Sequence, residues 1–133
     1  THPDVGIRVL DVGMRELLRT LDKKYCDVAL GITLEAGNYS AQVRKLARCE
    51  ARCIMHRDHP LAKQDKISQD MLHNEDFIDL MPDSPLRKRV DEVIQTESKD
   101  RRTVVEMGTM RGACALVDRG VGVAIVDPFA ELL

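Results

Sequence analysis

Two glycines near the end of the chain, Gly120 and Gly122, have the spacing with which a phosphate-binding loop begins. In such a loop the glycines follow a β-strand and open a helix, whose first N–H groups then bind the phosphate. Here the order is reversed, because a helical pattern ends at Gly120 and a strand pattern follows Gly122. We therefore expect Gly120 to end a helix and Gly122 to allow a tight turn, with no nucleotide bound.

Side chains that could ligate a metal ion or transfer protons are present, but they lack partners. The stretch from His56 to His59 holds two histidines, and no second group of ligands accompanies it elsewhere in the sequence. We expect this stretch to be a solvated turn. Two carboxylate pairs, Asp11 with Glu16 and Asp79 with Asp83, stand without a nucleophile or an orienting base. The sequence therefore predicts no catalytic residue, metal site or cofactor.

The four cysteines have no framework spacing, which favours a reduced, cytoplasmic protein. Cys49 and Cys53 could form a redox pair on a helix, where residues four apart are about 6 Å from each other. On a strand they would be roughly 13 Å apart, which is too far for a disulfide. We expect a strand there and hence no disulfide.

The composition describes an ordinary globular chain of 133 residues, with 44% hydrophobic and 32% charged residues. No apolar run approaches the roughly 20 residues of a membrane helix, and the polar opening at Thr1 is unlike a signal peptide. We expect no membrane contact. A net charge of −2 argues against nucleic-acid binding by this chain alone. A solvated face or a subunit contact is expected for the basic run of Arg44, Lys45, Arg48 and Arg52.

Strand and helix patterns alternate along the chain, which predicts an α/β fold with mostly parallel sheets. The stretch from Tyr39 to Met55 fits both patterns. Strands are predicted at Val5–Val12, Asp27–Ile32, Phe77–Met81, Arg101–Met107 and Val121–Pro128. Helices are predicted at Met14–Tyr25, from Ser84 with the apolar stripe Leu86, Val90, Val93 and Ile94, and from Thr109 to Gly120, with a short turn after Ser68.

Ligands of parallel sheets bind beyond the carboxyl ends of the strands, where helix N-termini offer free N–H groups. Four segments of this sequence meet that description: Val12-Gly13-Met14, Ile32-Thr33, Asp83-Ser84 and Gly108-Thr109. Asp127, at the end of the last predicted strand, is a fifth candidate.

Five motifs in order also carry a resemblance to a known family. They are HPDVGIRV (2–9), LLRTLDKKYCDVALGI (17–32), RDHPLAK (57–63), FIDLMPDSPLRKRVDEV (77–93) and LVDRGVGVAIVDP (116–128). Together they resemble the effector-binding (substrate-binding) domain of LysR-type transcriptional regulators.

The resemblance implies a two-lobed fold of the periplasmic-binding-protein type (type II), with a small effector held between the lobes. Residues 1–48 would form part of the first lobe and residues 49–133 the second, with the hinge crossing near 46–52. The resemblance favours a strand there. The family's helix-turn-helix, linker helix, first effector-domain strand and helix, and C-terminal return strand are not matched. We therefore expect a fragment with an incomplete first lobe.

The resemblance places effector contacts at Ile32-Thr33 and at Asp83-Ser84. Ser84 could donate to a carboxylate or sulfate oxygen, and Asp83 could hold an ammonium group, so we expect an effector that is amino-acid-like or else a carboxylate or another anion. A simpler interpretation is that Ser84 caps its helix and Asp83 is solvated, and the two roles are compatible.

The leading hypothesis is a non-enzymatic sensor that binds a small-molecule effector and forms a homo-oligomer, a dimer or tetramer. It would reach promoter DNA only through a helix-turn-helix domain absent from this chain. A solute-binding protein of a transporter is the alternative, because it shares the two-lobed fold. A small α/β enzyme is a third possibility without a visible catalytic set.

Overall fold

A computed structural model of the protein describes residues 2–32, 41–94 and 101–132. Three α-helices lie along these residues: α1 Met14–Asp22, α2 Pro85–Ile94 and α3 Met110–Val117. Four strands accompany them: β1 Arg52–Ile54, β2 Asp76–Leu80, β3 Arg102–Met107 and β4 Ala124–Val126. Short 3-10 helices span Pro60–Lys63, Gln69–Leu72 and Pro128–Leu132.

Strand β2 connects the sheet, because its backbone bonds to neighbours on both sides. On one side β2 runs parallel to β3. On the other side Phe77 forms a parallel bridge with Val123, where the Ile78 N–H donates to the Val123 carbonyl at 2.9 Å. Strand β4 continues from Val123 and pairs antiparallel with β1. The order β3-β2-β4-β1 therefore has parallel neighbours except at β1, and it confirms the α/β prediction.

The core lies on the two faces of this sheet, and Phe77 and Val123 at its centre have no exposed surface. One face is covered by α2 and the other by α3. The first face packs Leu72, Phe77, Leu80, Leu86, Val90, Ile94 and Val123. The second packs Ile78, Ala113, Val117, Ala124 and Val126.

Helix α2 begins at Pro85, the position that the sequence predicts, because proline suits the first turn of a helix. Three members of its predicted stripe, Leu86, Val90 and Ile94, are buried. Val93 is 51% exposed, so its inclusion in the stripe is wrong. Successive helical residues are rotated by about 100°, and Val93 therefore points away from the sheet while Ile94 faces it.

Both glycines of the GVG sequence act as predicted. Gly120 ends α3 with a positive φ of 71°, and its N–H donates to the Val117 carbonyl at 2.9 Å. Gly122 lies so close to β2 that a Cβ atom there would be 2.3 Å from the Asp76 carbonyl oxygen. The missing side chain at Gly122 is thus what allows the next residue, Val123, to pair with β2.

We expect Gly122→Ala to lower the free energy of unfolding by about 1–3 kcal/mol, because the added methyl group must push β2 and β4 apart. Urea denaturation of the purified protein measures this loss. Gly6→Ala is the matched control, since a Cβ there meets no atom within 4 Å. An equal decrease in the free energy of unfolding of both variants would show that the close approach of Gly122 to β2 does not contribute to stability.

Two predicted strands, Val5–Val12 and Asp27–Ile32, are wrong, because both stretches lack regular pairing within the described part of the chain. Most of their apolar side chains are exposed, with Val9 82% and Val28 84% exposed. An extended segment becomes a strand only when its backbone groups bond to a neighbour, and apolar alternation alone does not supply that neighbour.

The first helix also ends earlier than the predicted Tyr25. Lys24 has a left-handed φ of 55°, and the Tyr25 N–H donates back to the Thr20 carbonyl at 2.9 Å. This local turn closes α1 at Asp22. None of the residues of α1 is buried, and its apolar side chains Met14, Leu17, Leu18 and Leu21 are partly exposed.

The ambiguous stretch resolves only in part. Tyr39 lies outside the described residues, residues 42–51 form neither helix nor strand, and the strand begins at Arg52. The predicted short turn after Ser68 is present as a 3-10 helix, although the Ser68 side chain makes no capping hydrogen bond. The division into lobes at residue 48 stays a prediction.

The amides of residues 5–12 and 27–32 should exchange with solvent at least about a hundredfold faster than those of β2 and β4, because they lack ladder hydrogen bonds. Hydrogen exchange followed by mass spectrometry measures this difference. Equal protection of both regions would mean that the first segments have paired, and the map of an incomplete first lobe would be wrong.

Candidate functional site

Two helices begin at neighbouring positions on one edge of the sheet. The Met81 N–H donates to the Met107 carbonyl at 3.0 Å, which keeps the ends of β2 and β3 side by side. After β2 the Ser84 N–H donates to the Met81 carbonyl at 2.8 Å, and this turn leads into α2. After β3 the chain enters α3 through Gly108 and Thr109. The N-terminal ends of α2 and α3 are therefore neighbours.

The start of α1 joins the same edge through a direct backbone contact. A Cβ atom on Gly13 would lie 2.9 Å from the Gly108 carbonyl oxygen, so a larger residue would force the two segments apart. An ion pair lies beside this contact, with the Arg111 Nε 3.6 Å from the Asp11 Oδ2. The starts of α1 and α3 are thus held against each other.

A second ion pair connects α1 with the turn before α2. The Arg15 Nε lies 2.9 Å from the Asp83 Oδ2, with the side chains 77% and 37% exposed. Ion pairs this exposed contribute only about 0–1 kcal/mol, because water screens both charges. A charged ligand could therefore replace either partner at little cost. Sequence reasoning missed Arg15, because α1 precedes Asp83 by about 70 residues and nothing local links them.

An open depression of about 420 Å³ lies at this junction. Its lining combines two cations and one carboxylate with an apolar floor. The lining residues are Arg15, Met81, Pro82, Asp83 and Lys88. A ligand that carries an anionic group, with or without an ammonium group, matches this set of charges.

Ser84 stands at the entrance of α2 with its side chain available. Its carbonyl accepts the first helical hydrogen bond, from the Lys88 N–H at 3.0 Å. No hydrogen bond of the Ser84 hydroxyl is found to any residue that the structure describes. The simpler interpretation, in which the side chain caps its own helix, is therefore not supported. Asp83, in turn, is ion-paired and not merely solvated.

Comparison with known proteins identifies the family. The sequence profile of the LysR substrate binding domain matches residues 1–132. The chain belongs to this family. It is 27% identical over 131 residues to the transcriptional activator protein LysR of Escherichia coli (strain K12), covering 98% of this chain and 42% of that protein.

The regulatory protein NocR of Agrobacterium tumefaciens (strain T37) is 30% identical over 129 residues, covering 96% of this chain and 42% of the relative. Among solved structures, the effector binding domain of QuiR in complex with shikimate superposes with a TM-score of 0.74 at 18% identity, covering 90% of this chain and 58% of that one. The likeness confirms the predicted fold class. The LysR-family chain spans less than half the length of these curated relatives. No helix in its described part is long and apolar enough to cross a membrane.

The LysR-family chain brings together five of the eight predicted effector-binding residues. Gly13 and Met14 belong to the start of α1, although the Met14 side chain turns away and lies beside Gly31. Thr109 is engaged as a helix cap, because its hydroxyl oxygen accepts the Gly112 N–H at 3.3 Å. The five are Gly13, Met14, Asp83, Ser84 and Thr109.

The other three residues lie elsewhere or cannot be placed. Ile32 packs against the core face covered by α2, and Thr33 lies outside the described residues. Asp127 accepts the Phe129 N–H at 2.9 Å and so stabilises the turn after β4. Burial raises the pKa of the Cys114 thiol, and the negative charge of Asp127 raises it further. Asp127 follows β4, on the side of β2 away from β3, and its carboxylate is engaged in that turn.

One further prediction about polar residues needs correction. His59 is partly buried: its Nε2 lies 3.1 Å from the Glu75 Oε2, and its Nδ1 accepts the Leu61 N–H at 3.2 Å. The stretch from His56 is thus solvated only at Arg57 and Asp58. No group of three or more metal ligands is found among the described residues.

The four basic residues between Arg44 and Arg52 are exposed, as expected for a solvated face. The four cysteines are free thiols. They differ in environment, because Cys49 is exposed whereas burial, together with the negative charge of Glu75, raises the pKa of Cys53 to about 11.

At pH 8 the Cys53 thiolate fraction should be on the order of one in a thousand, since its pKa lies about three units higher. We therefore expect iodoacetamide to label Cys53 at least about a hundredfold more slowly than the exposed Cys49. Between pH 7 and 9 the Cys53 rate should rise about tenfold per unit. Trypsin cleaves between the two at Arg52, so peptide mass spectrometry follows each separately. Equal labelling rates would contradict the buried environment of Cys53.

Proposed function

We propose that this chain is the ligand-sensing domain of a LysR-type transcriptional regulator, and that its effector binds where α1, α2 and α3 begin. The convergence of these helix starts beside Arg15, Asp83 and Ser84 is the observation that carries the proposal. Family membership supports a regulatory domain without enzymatic activity, because the named curated relatives are regulators.

The chemistry of the junction indicates a small anionic or zwitterionic effector. The first N–H groups of a helix have no partner within the helix and carry the positive end of its dipole, so they bind anions. Ser84 adds a hydroxyl donor to those of α2, and Arg15 and Lys88 add positive charge. Asp83 supplies the complementary site for an ammonium group once Arg15 turns to the anion.

Binding at this junction would change how α1 sits against α2 and α3. An effector that contacts both sides favours the arrangement in which they are closest, and coupling of about 1–3 kcal/mol is typical of such regulation. The full protein would transmit the change through a homo-oligomer to a DNA-binding domain outside this chain. A cytoplasmic location fits that role. The complex of the QuiR domain with shikimate is a related case of small-molecule binding.

Replacing both Asp83 and Ser84 by alanine should weaken effector binding by about 1–3 kcal/mol, the scale of hydrogen bonds to a charged group. A thermal-shift screen of amino acids, opines, organic acids and sulfate would supply the ligand, and calorimetric titration of the full-length protein would measure its affinity.

The matched control is Ser68→Ala with Asp70→Ala. These residues have the same types and also stand at a helical N-terminus, but they are exposed and belong to the short turn before β2. The control should bind the ligand as the unmodified protein does. Unchanged affinity in the Asp83/Ser84 variant would remove the junction as the effector site.

A further inference from the structure

We propose that Arg87 is a positioning residue that fixes the starts of α2 and α3 relative to each other, and so sets the spacing of the donors that face the effector. The effect of Arg87 on effector binding rests on the proposed function. Its effect on the positions of the two helix starts does not. Neither the effector-site prediction nor the family resemblance singles out this residue.

The contacts of Arg87 reach the end of β2, the end of β3 and the body of α2. Its Nη1 donates to the Leu80 carbonyl at 2.8 Å, the last residue of β2 before the Ser84 turn. The same Nη1 lies 3.3 Å from the Glu106 Oε1, on β3 two residues before Gly108. Its Nε donates to both oxygens of Asp91, one turn later on α2, at 2.8 and 3.0 Å. One guanidinium thus connects the three segments whose geometry decides where the two helices begin.

An arginine is unfavourable at this position of a helix, so we attribute its placement to the contacts that its guanidinium makes. Arg87 lies in the first turn of α2, where the positive end of the helix dipole disfavours a cation. Its side chain is only 12% exposed, so water cannot screen that repulsion well. The carbonyl and the carboxylates around the guanidinium offset both costs. A planar group with several fixed donors can satisfy them at once, whereas an ammonium group cannot.

The buried charges beside Arg87 have other partners, so the fold does not depend on Arg87 for their neutralisation. Asp79, which is 5% exposed, lies 3.0 Å from the Arg101 Nη2 and accepts a hydrogen bond from the Thr103 hydroxyl at 2.7 Å. Asp91 also pairs with Arg101. Arg87 lies farther from Asp79, at 3.6 Å. We therefore expect a variant that keeps the positive charge at position 87 to fold.

The test compares Arg87→Lys with Arg89→Lys in the full-length protein. Arg89 lies on the same helix but is exposed, and its side chain pairs with Glu92. Hydrogen exchange is followed in peptides that cover residues 81–86 and 106–112. We expect both segments to exchange on the order of tenfold faster in Arg87→Lys, because single hydrogen bonds to charged groups have about this effect. The β1–β4 pairing should be unchanged, and Arg89→Lys should match the unmodified protein.

A second variant separates bridging from charge compensation. Glu106→Gln leaves Arg87 and its α2 contacts in place but weakens the connection to β3, so only residues 106–112 should exchange faster. If Arg87 merely neutralises buried carboxylates, lysine restores that role and exchange stays normal in both segments. That result would overturn the inference, as would a loss of protection spread evenly over the whole domain.

Sulfate titration links the inference to binding, because sulfate is the simplest anion for helix N–H groups. We expect Arg87→Lys to weaken sulfate binding at least about fivefold, although Arg87 does not line the depression. Normal sulfate affinity together with faster exchange would overturn the claimed consequence for binding. If the unmodified protein binds no sulfate, or if Asp83→Ala with Ser84→Ala leaves its affinity unchanged, the proposed site fails instead, and exchange alone decides the role of Arg87.

Discussion

Strand β2 depends on a backbone approach that only glycine permits, and most of the fold depends on β2. Gly122 passes within contact of the Asp76 carbonyl, and this lets Val123 bond to Asp76 and Ile78. The bridge turns two separate strand pairs into one sheet, which carries α2 on one face and α3 on the other. A side chain at 122 would push the pairs apart beside Phe77 and Val123, two core residues with no exposed surface.

The same sheet determines the candidate site. Because β2 and β3 are parallel and in register at their carboxyl ends, the helices that follow them must start side by side. The third contribution to the junction comes from α1, which has no buried residues. Its N-cap Gly13 supplies the close backbone contact, and Arg15 supplies a positive charge. Two helices packed on the core and one helix without buried residues thus meet at one candidate site. Segments with few buried contacts open at a lower free energy than the core does.

The features that the sequence predicts correctly are those that depend on residues close together in the chain. Pro85, Thr109 and Gly120 mark helix ends by their own backbone chemistry, and the structure places the ends there. The apolar runs at Val5 and Asp27 resembled strands, but pairing depends on a neighbour that no local pattern encodes. The pair of Arg15 with Asp83 and the several contacts of Arg87 are likewise long-range. Family resemblance predicted the region of the candidate site, and the structure adds the charges of Arg15 and Lys88 beside it.

The contact of Gly13 with Gly108 has a mechanical consequence. Since Gly13 has no side chain, the residue before α1 can approach the Gly108 backbone closely, and the ion pair of α1 near this point, Arg15 with Asp83, is exposed. The nine residues of α1 extend about 13 Å from that point. A rotation of about 15° there would carry the far end of the helix through roughly 3.5 Å. A rotation about this contact therefore moves the far end of α1 most, while the residues beside the helix starts stay nearly in place.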